Sequence, residues 1–239
     1  DMKCIETLAR VNVLCVDKTG TITENTMEVN GEIPMDGYDS QSMAPLKQII
    51  SDFASAMSSD NITMKAMKDY FNKPSGRKAV SVSPFSSQFK YSGAAFEDGS
   101  YVLGAPEFVL REDYDNYREQ IEQYSSEGYR VLVFGIYDGV IDGKALTGKV
   151  TPLGLVFLSN PIRKEAPETF KYFENQGVEI KVISGDNPVT VSQVALQAGI
   201  ANADNYIDAS TLTTDEAIED AVLRYTVFGR VTPDQKRKF

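Results

Sequence analysis

Histidine is absent from all 239 residues, which removes imidazole acid/base catalysis, serine–histidine triads and histidine-ligated zinc together. Any chemistry must run on carboxylates, hydroxyls, Lys, Arg and backbone amides. Cysteine is nearly absent: Cys4 and Cys15 are too few for a disulfide framework and lack metal-ligand spacing, so a reducing, cytosolic setting is expected. No stretch approaches the roughly 18 consecutive apolar residues of a membrane-spanning helix, and Asp1-Met2-Lys3 does not open a signal peptide. The chain as given is therefore expected to be soluble. Basic residues are in the minority, with Lys+Arg 24 against Asp+Glu 34 and a net charge of -10. A binder of phosphate backbones shows the opposite balance, so nucleic acid is not an expected partner. Internal repeats and low-complexity tracts are missing too.

What is present is enough apolar material for a core, 42% of residues, in a length that suits one large or two modest domains. Val11 to Val16 is a short apolar run that breaks into Asp17-Lys18-Thr19-Gly20, the pattern of a buried parallel strand ending in a polar loop. Val178 to Ile183 does the same into Ser184-Gly185-Asp186-Asn187, and Tyr225 to Phe228 into Gly229-Arg230. Lys164 to Asn175 reads as a helix stopped by Gly177, and a second helix begins near Pro188, with Val191, Val194 and Ala195 on one face. Strands alternating with helices predict a parallel α/β sheet, in which ligands sit at the carboxyl ends of the strands. The three polar loops should therefore converge on one crevice. Residues 26–159 differ in character. Short alternating runs (Ala79 to Ser83, Tyr101 to Leu103, Val131 to Phe134) mix with helical stretches (Leu46 to Met57, Met64 to Phe71, Tyr114 to Tyr124), and Asp98-Gly99, Asp138-Gly139 and Asp142-Gly143 read as hairpin turns. An inserted α+β domain with a mostly antiparallel sheet is the simplest arrangement. The chain also opens abruptly and closes at Gln235 to Phe239 inside a helix opened by Thr232-Pro233-Asp234, as expected of a piece of a longer protein.

A carboxylate where Asp17 stands can attack phosphorus if its neighbours bind the transferring group. Gly20 frees the backbone, and Thr19 and Thr21 add donors to a nest of amides. A phosphatase of the Asp-x-Asp kind carries a second carboxylate at the position of Thr19, and its absence should let an acyl phosphate persist. Read singly, the other loops have plain alternatives: Ser184 to Asn187 as a helix cap, and Lys236 as a solvated helix residue.

Asp17-Lys18-Thr19-Gly20-Thr21-Ile22-Thr23 resembles the signature of P-type ATPases, ion pumps of the haloacid-dehalogenase superfamily. The resemblance spans essentially the whole chain. It implies a split Rossmann-like phosphorylation domain, 1–25 and 160–239, and an inserted nucleotide-binding domain, 26–159. It implies a catalytic group of Asp17, Lys18, Thr19, Ser184 and Lys236, with Gly185 beside the phosphoryl group, Asp186 beside the nucleotide, Arg230 near the ATP phosphates, and Mg²⁺ at Asp17 and Thr19. Pro84-Phe85-Ser86-Ser87 with Lys90, then Gly104-Ala105-Pro106-Glu107, then Gly128-Tyr129-Arg130 are similar to the nucleotide-binding elements. By that likeness Phe85 stacks on adenine, Lys90 sits at the far end of the nucleotide, Gly104 makes the glycine turn and Arg130 contacts phosphate. Each also reads as a core, surface or turn residue. Leu103 replaces a Lys common in the family, Asn160 replaces an Asp and Arg163 is retained. A further strand with a magnesium-binding Gly-Asp-Gly-x-x-Asn-Asp loop would follow Phe239. The implied setting is the cytoplasmic part of a membrane protein, with membrane helices and an actuator domain in the same parent chain, Cys4 to Arg10 leading in from such a helix, and no obligate oligomer. A soluble phosphatase of the superfamily and a non-catalytic nucleotide-binding module are the alternatives.

Overall fold

The computed structural model describes residues 12–239; the expected lead-in from Cys4 to Arg10, and Val11, lie outside the described residues. In chain order come β1 (Val13–Asp17), β2 (Glu28–Pro34), α1 (Leu46–Ala56), α2 (Ile62–Tyr70), β3 (Ser81–Ser83), β4 (Tyr91–Phe96) and β5 (Gly99–Gly104). They are followed by α3 (Pro106–Leu110), α4 (Tyr114–Ser126), β6 (Arg130–Tyr137), β7 (Val150–Ser159), α5 (Ala166–Asn175) and β8 (Glu179–Ile183). The chain ends with α6 (Pro188–Gln197), β9 (Tyr206–Asp208), α7 (Asp215–Arg224), β10 (Val227–Gly229) and α8 (Pro233–Lys236). Two compact units result, one of Asp1–Asn25, Ser125–Gly128 and Asn160–Phe239, the other of Thr26–Tyr124 and Tyr129–Ser159. No described helix is long and apolar enough to cross a membrane.

The first unit is built on a four-stranded sheet in the order β1-β8-β10-β9, parallel throughout. Its strands are apolar because helices cover them: Val16, Ile180, Val182 and Val227 pack with Phe170 of α5 and Val191 and Ala195 of α6. Asn187 caps α6 by accepting from the Val189 N–H, and Thr214 caps α7, whose first turn carries Asp215 and Glu216 and whose last carries Arg224, in the sense the helix dipole favours. Gly177, at φ +79°, takes the left-handed turn out of α5. The strand β9 carries no sequence signal: it has three residues, none of them buried, so neither length nor periodicity marks it.

The second unit holds a six-stranded antiparallel sheet, β2-β7-β6-β5-β4-β3, with helices on both faces. Alternation along the strands sends Leu103, Leu132 and Phe134 to the face covered by Ile50 and Phe53 of α1 and Met67 of α2. It sends Val102, Val131 and Val133 to the face covered by Val109 of α3 and Ile121 of α4. All three expected Asp-Gly turns differ from expectation. Phe96 pairs with Gly99, so Glu97-Asp98 makes the hairpin turn and Gly99 already belongs to β5. Asp138-Gly139 and Asp142-Gly143 lie in one long loop between β6 and β7 rather than in tight hairpins. That loop is held by side chains: Arg111 donates to the carbonyls of Leu146 and Gly148, Tyr91 donates to that of Lys144, and the Tyr137 hydroxyl accepts from the Thr147 and Gly148 N–H groups.

Gly229 ends β10 where α6 begins, and a Cβ there would lie 2.3 Å from the Pro188 Cα. Neither backbone can yield without shifting the loops at the strand ends. Gly229→Ala should cost about 1–3 kcal/mol of stability by overpacking, read as a lowered urea midpoint at unchanged slope.

Candidate active site

In a parallel sheet all strands end at the same edge, so residues far apart in sequence meet there. Asp17, the last residue of β1, stands opposite Ile183 of β8, and Ser184 follows directly. Ile183 in turn pairs with Phe228 of β10, while Gly229 pairs with Asp208 of β9. Asp17, Ser184, Arg230 and Asp208 thus mark the carboxyl ends of four adjacent strands.

The loop after Asp17 is tied back on itself. The Lys18 carbonyl accepts from the N–H groups of Ile22 and Thr23 at 3.1 Å and from the Thr23 hydroxyl at 3.2 Å, and the Gly20 N–H donates to the Thr23 carbonyl at 2.9 Å. Gly20 sits at φ +87°, a conformation that glycine adopts without strain, and Ile22 is fully buried. The Thr19 N–H points toward the Asp17 carboxylate at 3.4 Å. After β8, the Ser184 hydroxyl accepts from the Asp186 N–H at 3.1 Å, while the Ser184 N–H and carbonyl engage Phe228 and Val231. A Cβ on Gly185 would meet only the Val231 carbonyl, at 3.7 Å, so packing does not demand glycine there.

Two ion pairs span the edge. The Lys236 ammonium binds the half-buried Asp17 carboxylate, and the buried Lys18 ammonium binds the Asp186 carboxylate. Lys236 is placed by α8. Thr232 and Gln235 cap that helix reciprocally, and the Gln235 side-chain amide donates to the carbonyls of Ala209 at 2.7 Å and Leu212 at 3.1 Å. Arg230, at φ +50°, turns its guanidinium to the Asp208 carboxylate at the end of β9. Burial pushes the Asp208 carboxyl up, but hydrogen bonds from Ser210 and Arg230 outweigh it and hold the group below the usual carboxylate range. Among the described residues no group of three or more Asp, Glu or Cys is arranged to hold a metal ion.

In the second unit, Phe85, Gly104 and Arg130 line one cavity of about 180 Å³. Gly104 is there because a Cβ would lie 2.3 Å from the Lys90 carbonyl and 2.7 Å from the Tyr91 Cβ. Lys90 itself has φ +57°, its carbonyl accepts from the Ala105 N–H at 3.0 Å, and it is not part of the lining. The turn from Ser86 to Lys90, closed by the Lys90 N–H on the Ser86 carbonyl at 2.7 Å, leaves the Phe85 ring exposed.

Residues 11–238 match the haloacid dehalogenase-like hydrolases. The chain belongs to that family. Within this hydrolase family it is homologous to cation-transporting ATPases. It is 39% identical over 239 residues to "Calcium-transporting ATPase CtpE" of Mycobacterium tuberculosis, covering 99% of the chain and 29% of the relative. It is 36% identical over 241 residues to "Probable cation-transporting ATPase exp7" of Streptococcus pneumoniae, covering 99% of the chain and 30% of the relative. The chain therefore spans about 30% of the length of these relatives. A crystal structure of a zinc-transporting PIB-type ATPase in the E2.Pi state shares the fold, with a TM-score of 0.58 at 19% identity over 82% of this chain and 29% of that one.

Two residues that the sequence pattern does not single out are Asp208, which holds Arg230 at the end of β9, and Gln235, which holds the Lys236 segment to the turn after β9. Thr232 was legible as the opening of a helix; its reciprocal cap with Gln235, and Asp208 at the end of a three-residue strand, were not. Because the folded Asp208 carboxyl lies below its unfolded value, its contribution to stability is present above about pH 4 and fades as pH falls through the folded value. Asp208→Asn should accordingly be less stable than the parent near pH 7, with the gap narrowing below about pH 4, measured by chemical denaturation across pH.

Proposed function

We propose that this chain is the catalytic portion of a cation-pumping ATPase, in which the second unit binds ATP and Asp17 of the first unit accepts its terminal phosphoryl group. The observation that supports it most directly is the Asp17 carboxylate at a strand end with the Lys236 ammonium on it and Ser184 on the neighbouring strand end. An Asp17 oxygen attacks the γ-phosphorus, the new O–P bond forms as the bond to the β-phosphate oxygen breaks, and ADP leaves. Such a transfer needs positive charge and donors more than proton transfer. Lys236 offsets the charge gathering on the phosphoryl oxygens, and Ser184 and the amide of Gly185 supply donors. Lys18, held by Asp186, fixes the loop that follows the nucleophile. Thr19 brings no second carboxylate to activate water, so the acyl phosphate persists long enough to drive a conformational cycle.

The oxygen donors of Asp17 and Thr19 are of the kind that magnesium takes. Mg²⁺ takes oxygen ligands and commonly uses one or two carboxylates with substrate phosphates and water, and Asp17 with Thr19 would hold it here. When bound it neutralises phosphate charge. In the parent protein the phosphorylated state would power cation transport across a membrane, with these units on the cytoplasmic side and joined to membrane and actuator domains of the same chain.

In the complete protein, Asp17→Asn should abolish acid-stable, hydroxylamine-sensitive labelling by γ-labelled ATP; labelling that persists refutes the assignment. The 239-residue chain by itself should bind nucleotide with little or no turnover. Robust magnesium-dependent hydrolysis by the isolated chain would show that inference to be wrong.

A further inference from the structure

We propose that the cavity lined by Phe85 and Arg130 recognises a purine by the faces of its ring and leaves the 6-position of its edge unread, so that 6-amino and 6-oxo purine nucleotides bind alike. The proposal rests on that cavity being the base site of the ATP-binding unit. At about 180 Å³ it suits a heterocycle rather than a whole nucleotide, since pockets for drug-sized ligands run to about 300–1,000 Å³.

Polar atoms around the cavity carry the case. Its walls are largely apolar: Met64, Leu103 and Leu132 are buried in the helix-covered core, and the Phe85 ring, 44% exposed, is free to stack. Among the described residues no carboxylate lines it, and Arg130 is its one charged side chain. A site that selects adenine needs an acceptor for the 6-amino group; one that selects guanine needs a carboxylate for N1–H and the 2-amino group. Each side-chain oxygen in the lining already has a partner within the protein. Asn61 Oδ1 caps α2 by accepting from the Met64 N–H at 2.7 Å. Thr63 Oγ1 accepts from Arg130 Nη1 at 3.4 Å and donates to Met27 Sδ. Ser92 Oγ is buried and turned to the Leu103 carbonyl at 3.5 Å.

Discrimination of about 10⁴-fold arises where the wrong ligand leaves buried polar groups of the site unpaired, and neither purine does so here. Stacking on an aromatic ring accepts every base, because each has a π-face. The remaining N–H groups of Arg130 find an acceptor in either ring, since N7 is common to both. Leu103 reinforces this: it is 3% exposed and gives the wall dispersion contact with no polar demand.

Equilibrium titration of the 239-residue chain with ATP, ITP and GTP should give dissociation constants within about fivefold of one another. Phe85→Ala should weaken all three together by about tenfold through lost stacking, and Phe85→Leu, which keeps the bulk without the ring, should do the same should the alanine variant misfold. A preference above about fivefold for one purine, combined with sensitivity to the Phe85 variants, overturns the proposal and leaves the cavity as the base site. Binding that is unchanged in both variants places the base elsewhere, and the reading of the cavity falls with the proposal.

Discussion

An ammonium held against a carboxylate at the open edge of a parallel sheet is the contact on which the first unit is organised. Asp17 and Lys236 are 219 residues apart in the chain, and nothing local could bring them together. They meet because β1 and β10 flank β8 in one sheet and parallel strands all deliver their carboxyl ends to the same edge. The strand ends then need only short, rigid loops. Gly229 lets α6 start against β10, and Gln235 fastens α8 to the segment after β9, so the ammonium is supported by backbone contacts as well as by its ion pair.

The second unit solves a different problem. Its antiparallel sheet buries two faces under helices, and its cavity opens where the core stops short around Phe85. The close approach of Gly104 to the Lys90 carbonyl fixes the turn that presents the ring, and the left-handed backbone at Lys90 reverses the chain into β4. Position and conformation here come from backbone packing, so the side chains that line the cavity are free to be mostly apolar.

The division between a parallel sheet with a carboxylate at its edge and an antiparallel sheet with an apolar cavity accords with the likeness to cation-transporting ATPases, of which the chain spans about 30%. Charge and donors gather where phosphoryl chemistry would occur, and dispersion surface gathers where a ring would stack. The Lys18–Asp186 and Arg230–Asp208 pairs extend the first pattern: each of these cations at the sheet edge is matched by a carboxylate from another loop.

By itself the sequence determined the parts that depend on near neighbours: apolar runs that become strands, Asn187 and Thr232 at the starts of helices, glycine at the end of helix α5, and the order of the three polar loops. Boundaries moved by a residue or two where helices fray. Tertiary structure alone decided the rest. The strand β9, too short and exposed to carry a period, exists because β10 offers it an edge, and only then does Asp208 become the partner of Arg230. Gly104 of β5 and Arg130 of β6 are placed by sheet register, which is set by which face is buried, and Thr63 of α2 and Phe85 of the loop before β4 reach the same cavity from outside the sheet. Local patterns are written in residues a few positions apart; pairings across strands follow from the burial of the whole core.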